Sequence, residues 1–237
     1  MKMYHETPGL GVAAMQDFSA NPGKTALIVV DMQFASTHRD FGFQRLLAHL
    51  GSEDELAAYL DRVDQVVIPN VRRLQAAFRE QRWPVIFLII GSEREDYRDL
   101  DRQRQARIAC WQSAGLPVAY ARVGEAAKRI RPEVAPVPGE TVINKTTASA
   151  FNSSPFAGHL TRHGITTLVF ASVANNFCVE MTLRDASARG LLCLVVDDAC
   201  ATMSDEAHRR AVDVLRFYAR IVTTDEILGE VPACQTR

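Results

Sequence analysis

Six short apolar runs recur along most of the chain, separated by stretches with helical patterns. The runs are continuous rather than alternating and many of their residues are β-branched, which is typical of strands buried on both faces of a parallel sheet. The runs are Thr25–Asp31, Pro84–Ile90, Thr141–Lys145, Thr167–Phe170, Leu191–Asp197 and Ala219–Thr223. The alternation predicts an α/β fold: a three-layer α/β/α sandwich around a doubly wound, six-stranded parallel sheet of order 3-2-1-4-5-6.

The segments between these runs carry helical periodicity or capping signals. Asp61–Arg82 has apolar residues at helical spacing, and Pro69 within it predicts a kink or a break. Ser153–His163 and Ser204–Tyr218 each start with a serine suited to cap a helix. By contrast, Gly91–Val123 is highly charged and poorly periodic, so we expect it to lie irregularly over an edge or a cleft with its charges in solvent.

The chain is divided into one domain and two short ends. Residues 1–23 contain several Pro and Gly and predict an irregular arm packed on a neighbouring subunit. Residues 24–230 form a single domain, and residues 231–237 form a C-terminal tail. We expect a homo-oligomer.

The predicted strand order brings three chemically capable residues to one edge of the sheet. Asp31 follows strand one, Cys178 follows strand four, and Lys145 ends strand three. Ligands of doubly wound sheets bind at the carboxyl ends of the strands, where strands one and four are neighbours. A cysteine in the first turn of a helix is favoured as thiolate. Asp31 could accept its proton and Lys145 could keep Asp31 ionised, although a lone cysteine is often only structural.

Composition excludes several classes of protein. The 237 residues are 47% hydrophobic with a formal net charge of −1, which gives no case for a nucleic-acid partner. The apolar runs are too short to span a bilayer, so no membrane partner is expected. Five cysteines without CxxC spacing argue against a disulfide framework or a zinc ribbon and make a reducing cytoplasm the expected compartment.

Several motifs resemble the isochorismatase-like cysteine hydrolase superfamily. They are ALIVVDMQ around Asp31, NKTTASAFNSSPF around Lys145, NNFCVEMTLRDASARG around Cys178, and the later VVDDACAT and RIVTTDEIL. The chain is similar to its amidohydrolase branch, which acts on ureidoacrylate, biuret and N-carbamoylsarcosine. The resemblance implies that Cys178 attacks an amide or ureide carbonyl to form a thioester, with Asp31 as base and Lys145 as electrostatic partner. It also implies a dimer or tetramer.

The resemblance further implies a backbone oxyanion hole and no metal. A cis peptide bond is expected at Val173–Ala174, with the N–H groups of Ala174 and Cys178 facing the oxyanion. Ser172 and Asn175 replace the usual Gly and Thr of this turn. Nicotinamidases of the superfamily carry an Asp and two His for a metal after strand two, but SEREDYRDLDRQRQ in that region has no His. We therefore expect neither a metal nor a cofactor.

Five residues are candidates for substrate contacts. Gln33 could reach the pocket or stabilise its loop, and His38 could recognise a polar or anionic group. Trp111 and Phe151 could wall the pocket or pack in the core. Asn175 lies on the oxyanion turn itself.

The favoured function is a metal-independent cysteine amidohydrolase for a small amide, carbamoyl or ureido compound in a compact polar pocket. An isochorismatase-type vinyl-ether hydrolase would keep the fold without requiring a thioester. A dinucleotide-binding dehydrogenase is disfavoured because DMQFAS, not GxGxxG, follows strand one. A catalytically silent member of the fold remains the last alternative.

Overall fold

The sheet has the predicted strands and the predicted order. The structure, a computed structural model, describes residues 23–231, so the predicted arm and tail lie almost wholly outside the described residues. All strand pairs are parallel, in the order β3-β2-β1-β4-β5-β6. The strands are β1 Thr25–Val30, β2 Val85–Ile90, β3 Thr141–Lys145, β4 Thr167–Val173, β5 Leu192–Ala201 and β6 Arg220–Val222.

Helices connect the strands and cover both faces of the sheet. The α-helices are α1 Phe34–Thr37, α2 Gly42–His49, α3 Ala57–Arg62, α4 Ile68–Glu80, α5 Arg102–Ser113, α6 Ala150–Ser153, α7 Phe156–Arg162, α8 Glu180–Ala188, α9 Asp205–Leu215 and α10 Thr224–Glu230. Short 3₁₀ turns lie at Glu53–Leu56, Ala126–Lys128 and Pro132–Val134, and π-helical turns at Val63–Val67 and Asn175–Val179.

Two apolar layers hold the sandwich together, because side chains of a strand point alternately to opposite faces. On β1, Leu27 and Val29 join a layer with residues of α3, α4 and α10. Ala26, Ile28 and Val30 join the layer on the other face, with residues of α7, α8 and α9. The continuous apolar runs of the sequence are therefore explained by burial on both faces, as predicted.

Helix boundaries differ from the predictions where local signals were weak. Pro69 does not break its helix, because it lies in the first turn of α4. The π-helical turn Val63–Val67 joins α3 to α4 just before it. The predicted helix Ser153–His163 is α7, which begins later than predicted, with Pro155 as its N-cap. A separate short helix, α6, precedes it and is capped by Ser149. By contrast, the side chain of Ser204 caps α9 as predicted.

The charged stretch after β2 is not wholly irregular, because it contains α5. The Asp101 side chain accepts a hydrogen bond from the Arg104 N–H and caps this helix. Ile108 is its one buried residue, so the sequence shows almost no helical periodicity there. The helix went unpredicted for that reason.

The carboxyl ends of β1, β3 and β4 meet at one edge of the sheet. Val30 pairs with Ser172, and Ile90 at the end of β2 pairs with Lys145. Asp31 then turns the chain away from β1 with a φ of 52°, a left-handed conformation that Asp tolerates better than most residues. The switch point between β1 and β4 is thus the place to look for a site.

Within residues 23–231, no helix has both the length and the apolarity needed to cross a lipid bilayer.

The core layer over α4 makes a direct stability prediction. Leu74 is fully buried there, so Leu74→Ala should lower the free energy of unfolding by about 2–5 kcal/mol through lost burial and a residual cavity. Urea denaturation measures the loss. Arg72→Ala, at an exposed position of the same helix, is the matched control and should change it by less than about 0.5 kcal/mol. Equal effects of the two changes would contradict the packing described here.

Candidate active site

A buried ion pair lies at the switch point. Lys145 Nζ donates to Asp31 Oδ2 at 2.9 Å, and the two residues are 0% and 3% exposed. The Asp31 backbone N–H donates to the Leu88 carbonyl, which fixes the start of the turn after β1. The structure therefore brings together the acid and the lysine that the strand order predicted.

Cys178 is the third member of this cluster, and its thiol is protonated at rest. It lies in the π-helical turn Asn175–Val179, just before α8. Burial, and next the negative charge of Asp31, raises the pKa of the thiol to about 12, while the positive charges of Lys145 and Arg104 oppose the shift. The expectation that the helix end would favour the thiolate is wrong for the resting protein, because burial and the carboxylate outweigh it.

One oxygen of Asp31 is placed to act as a base. Lys145 holds Oδ2, whereas Oδ1 is buried and has no hydrogen-bond partner among the described residues. A protonated thiol needs a base before it can act as a nucleophile. The arrangement can therefore move the thiol proton to a carboxylate that is paired with a lysine.

The turn between β4 and the Cys178 segment has an unusual backbone. The peptide bond Val173–Ala174 is cis, at the position that the resemblance implied. Ser172 before it has a φ of 101°, and the pairing of β4 with β5 shifts register at this point. The Ala174 carbonyl accepts hydrogen bonds from the N–H groups of Phe177 and Val179 at 3.0 and 3.3 Å. These bonds fix the turn against the segment that carries the cysteine.

Asn175 does not contact the cavity, contrary to the prediction. Its side chain is fully buried, and Nδ2 donates to His208 Nδ1 at 2.9 Å. His208 Nε2 then donates to Asp197 Oδ1 at 2.7 Å, and this contact holds the pKa of Asp197 below its usual range. The side chain thus anchors the oxyanion turn from behind, a role that depends on α9 and β5 and has no local signal.

A cavity of about 390 Å³ opens beside the cluster. Asp31, Ala174 and Cys178 lie in its wall together. Most of the remaining wall is apolar, which differs from the compact polar pocket that we expected. The large apolar side chains include Phe41, Phe43, Leu47, Leu56, Leu60 and Phe177.

Of the other predicted substrate contacts, His38 lines the cavity and Gln33 does not. The His38 ring packs against Phe34 and Phe41, with centroids 5.1 and 5.3 Å away. The buried Gln33 amide instead bonds to backbone atoms: Nε2 donates to the Ile90 and Lys128 carbonyls, and Oε1 accepts from the Ile90 N–H. Gln33 therefore stabilises its loop, which was the alternative role.

Trp111 and Phe151 pack elsewhere and do not line the cavity. Trp111 stands behind the wall, with its ring 5.8 Å from Phe43 and 5.2 Å from Tyr120. Phe151 packs on Phe156 at 5.0 Å and lies under the Arg189 guanidinium. Each was predicted either to line the pocket or to pack in the core. Both pack against other aromatic side chains, which is the second of these roles.

The cavity wall also contains polar residues that the sequence did not indicate, among them Tyr59, Arg104 and Arg107. The Tyr59 hydroxyl donates to the Ser36 carbonyl at 2.8 Å, and burial, and next the negative charge of Asp31, raises its pKa. Arg104 and Arg107 reach the cavity from α5. Arg104 is half-buried there, contrary to the expectation that the charges of that stretch lie in solvent, whereas Arg107 is exposed as expected. Recognising α5 as a helix would have placed both arginines on one face, three residues apart.

Among the described residues, no group of three or more His, Cys, Asp and Glu side chains is arranged to hold a metal ion.

Together, the fold and the site define a class: a doubly wound α/β protein with a buried acid, lysine and cysteine at its switch point. The Isochorismatase domain family matches residues 25–226 of the chain. The chain therefore belongs to the isochorismatase family, as the motifs indicated.

Curated relatives cover most of the chain at moderate identity. It is 29% identical over 214 residues to the ureidoacrylate amidohydrolase RutB of Pseudomonas syringae pv. syringae, which covers 86% of this chain and 82% of that protein. It is also 29% identical to the RutB of Variovorax paradoxus, over 91% of this chain and 84% of the relative.

Solved structures share the fold. A cysteine hydrolase from Pseudomonas syringae pv. phaseolicola superposes with a TM-score of 0.74 at 20% identity, covering 92% of this chain and 96% of the other. N-carbamoylsarcosine amidase from Thermoplasma acidophilum superposes with a TM-score of 0.62 at 22% identity, covering 86% and 98%. At these identities the likeness extends to the fold alone.

The electrostatics of Cys178 can be tested by alkylation. Because burial and Asp31 raise the pKa of the Cys178 thiol, little of it is ionised at pH 8. Asp31→Asn removes the negative charge that opposes ionisation and leaves the charge of Lys145 uncompensated. The pKa should therefore fall, and iodoacetamide should label Cys178 at least about 10-fold faster, as followed by mass spectrometry of its peptide. Asp54→Asn, at an exposed position, is the control; unchanged labelling in Asp31→Asn would contradict the assignment.

Proposed function

We propose that this protein is a metal-independent cysteine amidohydrolase, which cleaves a non-peptide C–N bond of an amide, carbamoyl or ureido compound. The observation that carries the proposal is the buried Asp31–Lys145 ion pair, whose Asp31 lies in one cavity wall with the protonated thiol of Cys178. The ureidoacrylate amidohydrolases among its relatives support the bond class.

The first half-reaction forms a thioester. Asp31 Oδ1 accepts the thiol proton, and the Cys178 sulfur attacks the substrate carbonyl carbon. Negative charge develops on the carbonyl oxygen, which accepts hydrogen bonds from the backbone N–H groups of Ala174 and Cys178. Loss of one such donor typically slows a reaction about 100- to 1,000-fold. Collapse of the intermediate breaks the C–N bond, and Asp31 returns the proton to the leaving nitrogen.

The second half-reaction hydrolyses the thioester. Asp31, ionised again, accepts a proton from a water molecule that attacks the same carbonyl carbon, and the sulfur leaves and regains a proton. Lys145 makes no bond in either half. Its charge keeps Asp31 ionised between the steps and partly offsets the repulsion between the carboxylate and a thiolate.

The proposed nucleophile can be tested by substitution and by trapping. Cys178→Ala should lower turnover by about 10⁴-fold or more, because no other group can form the thioester. Ammonia release from ureides, carbamoyl amino acids and simple amides measures this loss, and mass spectrometry of acid-quenched protein should detect the acyl adduct on the wild-type Cys178. Cys110→Ala, at an exposed cysteine, is the matched control.

Near-normal turnover by Cys178→Ala would rule out the covalent mechanism. Turnover of a vinyl ether without ammonia release would instead favour the isochorismatase-type reaction. If the folded protein turns over none of the tested substrates, a catalytically silent member of the fold is favoured.

Metal independence is a separate prediction. Prolonged dialysis against EDTA should leave the rate of ammonia release unchanged, because the proposed steps use only side chains and backbone N–H groups. The rate before and after dialysis is the measurement, with the metal content checked by mass spectrometry. Activity lost on dialysis and restored by zinc would contradict the proposal.

The homo-oligomer, a dimer or tetramer, stays a prediction, which size-exclusion chromatography with light scattering can test.

A further inference from the structure

Two arginines of α5 give one wall of the cavity a positive charge. Arg104 forms an ion pair with Asp101, while its Nε–H is buried without an acceptor among the described residues. Its guanidinium lies 5.5 Å from the centre of the Tyr120 ring. A buried donor without a partner is unusual in a folded protein, and it leaves a hydrogen bond that a ligand or a water molecule can accept.

Arg107 extends this charged wall by one helical turn. Its Nη1 donates to the Tyr120 hydroxyl at 2.9 Å, and it contacts no carboxylate within residues 23–231. Arg104, Arg107 and Tyr120 all line the cavity, so their polar groups can reach one ligand. We call these three residues the arginine wall.

The loop that carries Tyr120 is held at the end of β2. The Ser92 N–H donates to the Ala121 carbonyl at 3.0 Å, and the Val123 N–H donates to the Ser92 carbonyl at 2.8 Å. At Gly91 a Cβ atom would lie 2.9 Å from the Ala121 carbonyl oxygen, so only glycine allows this close approach. The arginine wall is therefore fixed relative to the strand ends that carry Asp31 and Lys145.

The charges of the cavity do not cancel. Asp31 is neutralised by Lys145, and Asp101 offsets only one of the two arginines. The charge of Arg107 remains. Such an excess of positive charge in a mainly apolar cavity favours an anionic ligand.

The arginine wall and the thiol of Cys178 line the same cavity. Arg104 is near enough for its charge to oppose the rise in the pKa of Cys178. A single ligand can therefore reach the thiol and the arginine wall, while its remaining surface meets Phe41, Phe43 and Leu60.

We propose that the substrate is an amide or ureide with an apolar body and a carboxylate, and that Arg104 and Arg107 bind this carboxylate while Cys178 attacks the carbonyl. Guanidinium groups bind carboxylates through paired N–H donors, which suits this role. The inference rests on the proposed function, and it specifies a bulkier, anionic substrate class for the same site.

For a carbamoyl amino acid the reaction balances as follows. The sulfur bonds to the carbamoyl carbon, the bond from that carbon to the terminal nitrogen breaks, and ammonia leaves with the proton from Asp31. Water then cleaves the bond between sulfur and carbon, and the resulting carbamate loses carbon dioxide to give the free amino acid.

Three probes separate the two parts of the proposal. N-carbamoylphenylalanine has both an apolar body and a carboxylate, phenethylurea lacks only the carboxylate, and N-carbamoylglycine lacks only the benzyl group. Calorimetry on full-length Cys178→Ala protein measures binding without turnover, and ammonia release by wild-type protein measures kcat/KM. N-carbamoylphenylalanine should bind at least about 10-fold more tightly than each of the other two compounds. Its kcat/KM should also be at least about 10-fold higher.

Substitutions then assign the carboxylate contact. Arg104→Gln and Arg107→Gln should each weaken binding of N-carbamoylphenylalanine by about 10- to 100-fold and leave phenethylurea unchanged. Arg104→Lys should retain part of the affinity, because it keeps the charge without the paired donors. Arg102→Gln, an exposed arginine of α5 outside the cavity, is the matched control and should change neither. Melting temperatures establish that each variant is folded.

Several results would overturn the inference. They are equal binding of phenethylurea and N-carbamoylphenylalanine, preference for N-carbamoylglycine, or equal weakening of both benzyl probes by Arg104→Gln. Failure of the proposed function is a different result, namely no ammonia release that depends on Cys178 from any amide. The binding measurements decide the inference in that case also.

Discussion

The ion pair between Lys145 and Asp31 is the interaction on which the site depends. Both charges are removed from water, a desolvation cost of several kcal/mol per ion that only close pairing offsets. Removal of one partner would leave the other charge buried and unpaired. The pair also connects the ends of two strands that are not neighbours, because β2 lies between β1 and β3. Correct assembly of three strands is thus needed before the acid is held ionised beside the thiol.

Burial and that ion pair together set the resting state of the nucleophile. Burial raises the pKa of Cys178 most, and Asp31 raises it more than Lys145 lowers it, so the thiol remains protonated and poorly reactive until a proton is transferred. The same carboxylate that suppresses the thiolate is the group placed to accept its proton. A resting thiol of this kind is protected from oxidation and alkylation, since both reactions need the thiolate.

The reacting groups and the rest of the cavity belong to different parts of the chain. Asp31, Lys145 and Cys178 lie at strand ends, where the fold fixes them, whereas the apolar wall and the arginine wall come from helices α2, α3 and α5 and their loops. Relatives at 29% identity can therefore share the chemistry while their cavities differ in shape and charge. In the proposed function, substrate preference follows from those loops and helices.

The sequence alone determined the sheet and the place of the reacting residues. Continuous apolar runs identify buried parallel strands, and a residue directly after such a strand must lie at the carboxyl edge of the sheet. Only the tertiary structure decided where other side chains point. Gln33 and Asn175 turn to partners 57 and 33 residues away, and Trp111 packs on rings from two other segments. Strand position is a local property of the chain, whereas the direction of a loop or turn side chain depends on contacts that form only when distant segments meet.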